Sequence, residues 1–280
     1  MKIVRSIAQL RSLVTRQRKA GCTIGFVPTM GALHEGHLSL IRLAKRRSGF
    51  AVVSIFVNPA QFGPREDFTK YPRDLKHDAA LCKSAGADLI FAPQVKDIYP
   101  ENYRTYVTVE SLTKGLCGAS RPGHFKGAAT IVAKLFNIVQ PDVAVFGQKD
   151  AQQCVVISQM ARDLDFPVRI VIGPIVRERD GLALSSRNAY LTPAERAQAP
   201  ALYHALKMAK MMAAGGTRSV ERMKTKMREV ITCEAPLGKM DYIEIVDNDS
   251  LKPITKIKSK TLIAVAVKFP NARLIDNVVI

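Results

Sequence analysis

The sequence predicts an α/β protein in two parts, a doubly wound parallel sheet followed by a smaller α+β domain. Three observations predict it. Over the first two thirds of the 280 residues, short apolar runs alternate with segments of helical periodicity. The run FAVVSIFVN at 50–58 is almost continuously apolar, as strands covered on both faces are. After about residue 175 the order changes to helix-like segments followed by three strand-like ones.

Each element follows in order. MKIVRSIAQLRSLVTRQRKAG reads as a short strand and a helix, and Arg11, Arg16 and Arg18 interrupt any apolar core of a signal sequence. CTIGFVPTM is a strand ending in a loop. HLSLIRLAKRRSG is a helix burying Leu38, Ile41 and Leu43, with Gly49 near its stop. Beyond the strand at 50–58, RDLKHDAALCKSAGA, KGAATIVAKLFNIVQ and DAQQCVVISQMARDL read as helices, and DLIFAP, DVAVFGQ and VRIVIGP as strands. PAERAQAPALYHALKMAKMMAAGG then reads as one helix, and RSVERMKTKMREVIT as another that buries Val220, Met223, Met227 and Val230. MDYIEIVD, TLIAVAVKF and ARLIDNVVI are strands. The expected division is a Rossmann-like domain at 1–175 and a small α+β domain at 176–280 that closes over the ligand site.

Composition narrows the class. No apolar run approaches the roughly 20 residues a membrane-spanning helix needs. Cys22, Cys82, Cys117, Cys154 and Cys233 are odd in number and form no CxxC pair, which predicts reduced thiols in a cytoplasmic protein. The formal charge of +18 invites a nucleic-acid reading. However, the basic residues are spread along the whole chain, tryptophan is absent, and no RRM, zinc-finger or basic-zipper signature occurs. A solvated basic surface that steers anionic small molecules is therefore expected, with neither nucleic acid nor membrane as partner.

The polar clusters fall just after strands, where open α/β sheets bind ligands. PTMGALHEGH has Gly31 and Gly36 for close backbone approach, a helix N-terminus near His37, and two histidines able to donate to a polyphosphate. The plainer reading is that either histidine caps the helix. A metal site is the weaker one, since HEGH is not HExxH and no third ligand is evident. In NPAQFGPREDFTKYPRD, Asn58 and Gln61 suit a small polar substrate, or else mark a proline turn, and Arg65, Glu66 and Asp67 read as solvated surface. In GQKDAQQ, Lys149 can neutralise phosphate, Asp150 can hold Mg²⁺ or ribose or simply cap a helix, and Gln153 lies a turn further along. Ser185, Ser186 and Arg187 occupy a loop that can close over a triphosphate, although a loop serine is more often a turn cap. KGLCGASRPGHFKG, with Arg121, His124 and Lys126, reads as a mobile basic loop, and Cys117 has no supporting base.

Taken together, VPTMGALHEGHLSL, VSIFVNPAQF, YPRD, SRPGHFKG, FGQKDAQQ and RERDGLALSSRN resemble, in order, the pantoate–β-alanine ligase family of the HIGH/KMSKS-type nucleotidylyltransferase superfamily. The resemblance covers most of residues 24–190. It implies that ATP and (R)-pantoate form an enzyme-bound pantoyl adenylate with loss of pyrophosphate, and that β-alanine then displaces AMP to give pantothenate. It also implies a homodimer and Mg²⁺, with Asp150 as candidate ligand. Carried over by motif, Met30, Gly31, Ala32, Leu33, His34, Glu35, Gly36 and His37 bind ATP, with His34 and His37 on the phosphates. Gly147, Gln148, Lys149 and Asp150 contact the nucleotide, Val176 lies against adenine, and Leu184, Ser185, Ser186 and Arg187 close the phosphate site. His37, His34, Lys149, Ser185, Ser186 and Arg187 form the candidate catalytic set. Gln61 and Gln153, with Asn58 and Arg121, form the substrate-binding set. The family often has Glu at Gln148 and Met at Leu184. A nucleotidylyltransferase that leaves AMP on its product is the alternative enzyme reading, and an RNA-binding module the non-enzyme one.

Overall fold

The structure, a computed structural model, describes residues 1–64, 66 and 68–280. The readings of Arg65 and Asp67 lie outside the described residues. The large sheet is built from β1 (Lys2–Val4), α1 (Ile7–Lys19), β2 (Ile24–Thr29), α2 (Glu35–Arg47), β3 (Phe50–Ile55), α3 (Leu75–Ser84), β4 (Leu89–Phe91), two short helices α4 (Val95–Ile98) and α5 (Cys117–Ser120), α6 (His124–Val139), β5 (Val143–Gly147), α7 (Ala151–Asp163) and β6 (Arg169–Gly173). The small part follows as α8 (Pro193–Gln198), α9 (Ala201–Ala214), α10 (Val220–Glu234), β7 (Lys239–Asp247), β8 (Thr261–Lys268) and β9 (Arg273–Val279).

Strands β1 to β6 pair in parallel in the order β1-β4-β3-β2-β5-β6. Successive side chains point to opposite faces. Phe26, Val52, Leu89 and Ala144 therefore enter the core with α1, α6 and α7, while Val27, Val53, Ile90 and Val145 enter the core under α2 and α3. Burial on both faces explains the nearly continuous apolar run of β3, in which Ser54 alone is polar. From β2 the chain moves outward through β3 and β4 and then returns to β5 on the other side. The crevice between the carboxyl ends of β2 and β5 is thus the topological switch point.

Strands β7, β8 and β9 form a separate antiparallel sheet. Its middle strand is buried on both faces. Ile263, Val265 and Val267 pack with α9 and α10, whereas Leu262 and Ala264 pack against Leu116 and Ala151 of the large part.

Several expectations are corrected. In α2, Ala44 rather than Leu43 joins Leu38 and Ile41 in full burial, because three-residue steps hold one face and Leu43 lies off it. Pro200 ends the predicted long helix and separates α8 from α9. In α10, Ile231 replaces Val230, continuing the four-residue steps from Met223 and Met227. The segment expected to be a basic loop contains α5 and the start of α6.

Candidate active site

The loop after β2 is held from below. Thr29 Oγ1 accepts from the Gly31 N–H at 3.2 Å and donates to the Ser54 carbonyl at 2.7 Å. Buried Asp78, on α3, accepts from the N–H groups of Ala32 at 3.1 Å and Leu33 at 2.9 Å. Gly31 and Ala32 both take left-handed φ, +82° and +50°, and a Cβ on Gly31 would stand 2.8 Å from Asp78 Oδ2. Only glycine fits there.

This turn delivers His34 to the N-cap of α2, where a reciprocal capping box forms. His34 Nδ1 accepts from Gly36 N–H at 3.2 Å and His37 Nδ1 from His34 N–H at 3.3 Å. The helix begins at Glu35, two residues earlier than expected. Since both Nδ1 atoms accept, the proton of each neutral ring sits on Nε2, which can donate. Burial first, and then Lys149, lowers the His34 pKa to about 4. Burial, then His34 and Lys149, lowers that of His37 to about 3. The capping and ligand-binding readings are compatible, because capping leaves Nε2 available.

Both rings line a cavity of about 210 Å³ at the switch point, together with Met30, Gly36, Gly147, Lys149, Asp150, Val176, Leu184, Ser185, Ser186 and Arg187. Gln61, Gln153 and Arg121 line it as well. Segments far apart in sequence thus converge on one crevice. An adjoining cavity of about 320 Å³ between the two sheets shares Lys149, Asp150, Gln153, Ser185, Arg187, Arg121 and His124 with it.

Val176 and Leu184 are joined by the Leu184 N–H to Val176 carbonyl bond of 3.0 Å. Ser185, rather than Ser186, caps the 3₁₀ turn Ser186–Tyr190, its Oγ accepting from Arg187 N–H at 3.3 Å. Asp150 takes the N-cap position of α7, as the helix-cap reading expects, but its side chain makes no capping bond. Lys149 Nζ lies 3.9 Å from an Asp150 oxygen.

Some expected residues stand back from the cavity. Asn58 is 1% exposed and lines neither cavity. Its Nδ2 donates to Gln61 Oε1 at 2.9 Å and to the Gly127 carbonyl, while its Oδ1 accepts from Ala60 N–H and the Tyr99 hydroxyl. It therefore orients Gln61 and turns that residue's amide nitrogen into the end left for a ligand. Gly31, Ala32 and Leu33 shape the turn beneath the cavity. Glu35 faces outward and pairs with Arg42, and the Gln148 side chain turns to Asn277.

Sequence reasoning missed four contributors. Nothing in the local sequence singles out Asp78, although it shares a helix face with buried Cys82, one turn away. Glu66 is no solvated residue, for both its oxygens accept from Arg121 at 2.6 Å. Burial pushes its pKa up, but the Arg121 bonds and charge outweigh this and the net shift is down. His124 donates from Nδ1 to the Gln61 carbonyl at 2.9 Å and accepts on Nε2 from Arg121 at 3.1 Å, and burial, then Arg121, holds its pKa at about 4. Asn277, at the far end of the chain, reaches the Gln148–Lys149 turn. Among the described residues, no group of three or more His, Cys, Asp or Glu side chains is arranged to hold a metal.

A family model described as pantoate-beta-alanine ligase matches residues 2–279. The chain belongs to this family. The relatives agree. A pantothenate synthetase from Heliobacterium modesticaldum is 54% identical over 280 residues, covering 100% of this chain and 99% of that one. One from Moorella thermoacetica has the same identity and the same coverage of both chains, 54%, 100% and 99%. A crystal structure of pantothenate synthetase from Thermus thermophilus superposes with a TM-score of 0.95 at 49% identity, over 99% of each chain. A pantoate-beta-alanine ligase from Francisella tularensis, solved in complex with beta-gamma ATP and beta-alanine, gives 0.82 at 35% identity, over 100% of this chain and 97% of that one. The chain is accordingly an enzyme, an AMP-forming carbon–nitrogen ligase. No helix is long and apolar enough to cross a membrane among the described residues.

Proposed function

We propose that this cavity condenses (R)-pantoate with β-alanine in two stages, using ATP to make a pantoyl adenylate and releasing pyrophosphate, then AMP. The observation that carries the residue roles is the convergence of His34, His37, Lys149 and Ser185–Arg187 on a crevice that also holds Gln61 and Gln153. A carboxylate is a poor acyl donor, and joining its oxygen to AMP supplies a leaving group that an amine can displace. In the first stage a pantoate oxygen attacks the α-phosphorus and the bond to pyrophosphate breaks. No proton need move in that step. Neutral His34 and His37 stabilise growing negative charge through Nε2–H donors, and Lys149 and Arg187 do so through positive charge. Ser185 and Ser186 offer hydroxyl donors beside Arg187. The Gln61 amide nitrogen, oriented by Asn58, and Gln153 hold pantoate, while Arg121 stays turned toward its carboxylate partner at the cavity wall. Val176 offers an apolar surface for adenine.

Mg²⁺ belongs to the same proposal. Asp150, a carboxylate on the cavity wall, would hold such a hard oxygen-seeking cation. When bound, it would neutralise charge on the triphosphate. The separate sheets support a division at 175/176. Homodimerisation and a cytoplasmic location remain part of the proposal, the first to be read by sedimentation.

Pantoate-dependent exchange of labelled pyrophosphate into ATP, with and without β-alanine, tests the two stages. Exchange without β-alanine, and pantothenate plus AMP with it, is the expected result. An adenylylated product that accumulates in the presence of β-alanine would refute the second stage.

A further inference from the structure

Strand β9 ends the small sheet, yet two of its side chains are committed to the large one. Ile275 and Asn277 lie two apart and so share a face. Ile275 packs into the main core of the large sheet, and Asn277, 3% exposed, meets the 3₁₀ turn Gln148–Asp150 that follows β5. Asn277 Nδ2 donates to two successive backbone carbonyls, Gln148 at 3.0 Å and Lys149 at 2.9 Å. Its Oδ1 accepts from Gln148 Nε2 at 3.0 Å. The carbonyls can only accept, so the nitrogen end of the asparagine must face them. The oxygen end must then face a donor, and the Gln148 amide supplies one. The two side chains form a matched pair in which each fixes the orientation of the other.

We infer that Asn277 is a positioning residue that sets the Gln148–Lys149 turn, and through it the placement of the Lys149 ammonium in the cavity. This deepens the proposed function and rests on its assignment of Lys149 to the nucleotide phosphates. The neighbouring Asp276 points the opposite way and binds Arg177 through both oxygens, at 2.5 and 3.0 Å, while Arg177 also donates to the Gly181 carbonyl at 3.0 Å. Adjacent residues of β9 therefore anchor the turn that carries Lys149 and the arch that leads to Ser185. No single-domain packing requirement explains donation from Asn277 to two carbonyls of the other sheet.

Asn277→Asp keeps the shape but removes both donors, setting a carboxylate against two carbonyls, and Gln148→Met removes the return donor alone. In pyrophosphate exchange, Asn277→Asp should raise KM for ATP and lower kcat, for a combined loss of about tenfold or more, with KM for pantoate held within about twofold. A structural role alone would not produce that split. Because the two residues act as one unit, Gln148→Met should add little to Asn277→Ala in the double variant. Unchanged ATP kinetics in Asn277→Asp, parallel loss of pantoate and ATP affinity with a lowered melting temperature, or full additivity in the double variant would each overturn the inference. Lys149→Ala is measured alongside. If it keeps full exchange activity, the Lys149 assignment has failed; if it is impaired while the Asn277 variants are not, the positioning inference has failed by itself.

Discussion

The Asp78 carboxylate accepts hydrogen bonds from the backbone N–H groups of Ala32 and Leu33, at 3.1 and 2.9 Å, from 46 and 45 positions away in sequence. Burial pushes the Asp78 pKa up against the pull of those two N–H groups, so the group holds its place at an energetic cost. Asp78→Ala leaves two backbone donors unmet beneath the turn that presents His34. Losing such bonds at a buried site costs about 1–3 kcal/mol. We expect the variant to fold with a lowered melting temperature and to bind ATP about tenfold or more weakly. Calorimetric titration with ATP checks this, and undiminished affinity would mean the turn holds its shape without Asp78.

His37→Ala and Lys149→Ala should each slow adenylate formation by roughly 100-fold or more, the scale of removing a donor from a developing negative charge. Single-turnover formation of the adenylate is the measurement. Near-normal rates in both variants would remove these residues from the charge-stabilising role.

Gln153→Ala should weaken pantoate far more than ATP, because Gln153 stands on α7 in the crevice that Gln61 also lines, off the loops proposed to hold phosphate. Asn58→Ala should reproduce the same bias at second hand, since it releases Gln61 Oε1 from its 2.9 Å bond. Equal losses for both ligands in titration would contradict the assignment.

The histidines set a pH dependence with a definite sign. His34 and His124 have pKa values lowered to about 4, and His37 to about 3, from an ordinary 6.5. Between those values the unfolded chain binds more protons than the folded one, so stability rises with pH. Their contribution is complete above about pH 6.5 and declines as pH falls toward about 4 and 3. Melting temperatures taken across that interval should fall, and less steeply in His37→Gln. An equal slope in the variant would show that His37 does not carry its share. In the ligand-free enzyme these rings are neutral near pH 7, so binding of ATP should not release a proton from them.

The fold was largely legible in the residues. The alternation of apolar runs marked β2 through β6, and the nearly continuous apolarity of β3 marked burial on both faces. The errors came where a single residue outweighed the average pattern, as Pro200 did in splitting a helix, or where neighbouring apolar positions competed for one face, as Val230 and Ile231 did. The candidate site was legible where residues that line its cavity lie in contiguous motifs, in PTMGALHEGH, GQKDAQQ and LSSRN. It was not legible where a residue acts through distant partners.

The sequence by itself determined the order and type of most elements and the two-part layout, because periodicity, turn chemistry and glycine placement act over a few residues. Only the tertiary structure decided that Asp78 supports the turn at Ala32, that Glu66 clamps Arg121, that Gly127 and Tyr99 lock Asn58 behind Gln61, and that Asn277 grips the turn bearing Lys149. These depend on which strand ends and helix faces meet. The order β1-β4-β3-β2-β5-β6 and the docking of the small sheet bring together polar atoms that lie tens to more than a hundred residues apart. A buried polar group is worth its burial only when its partner arrives, and no local pattern records that arrival.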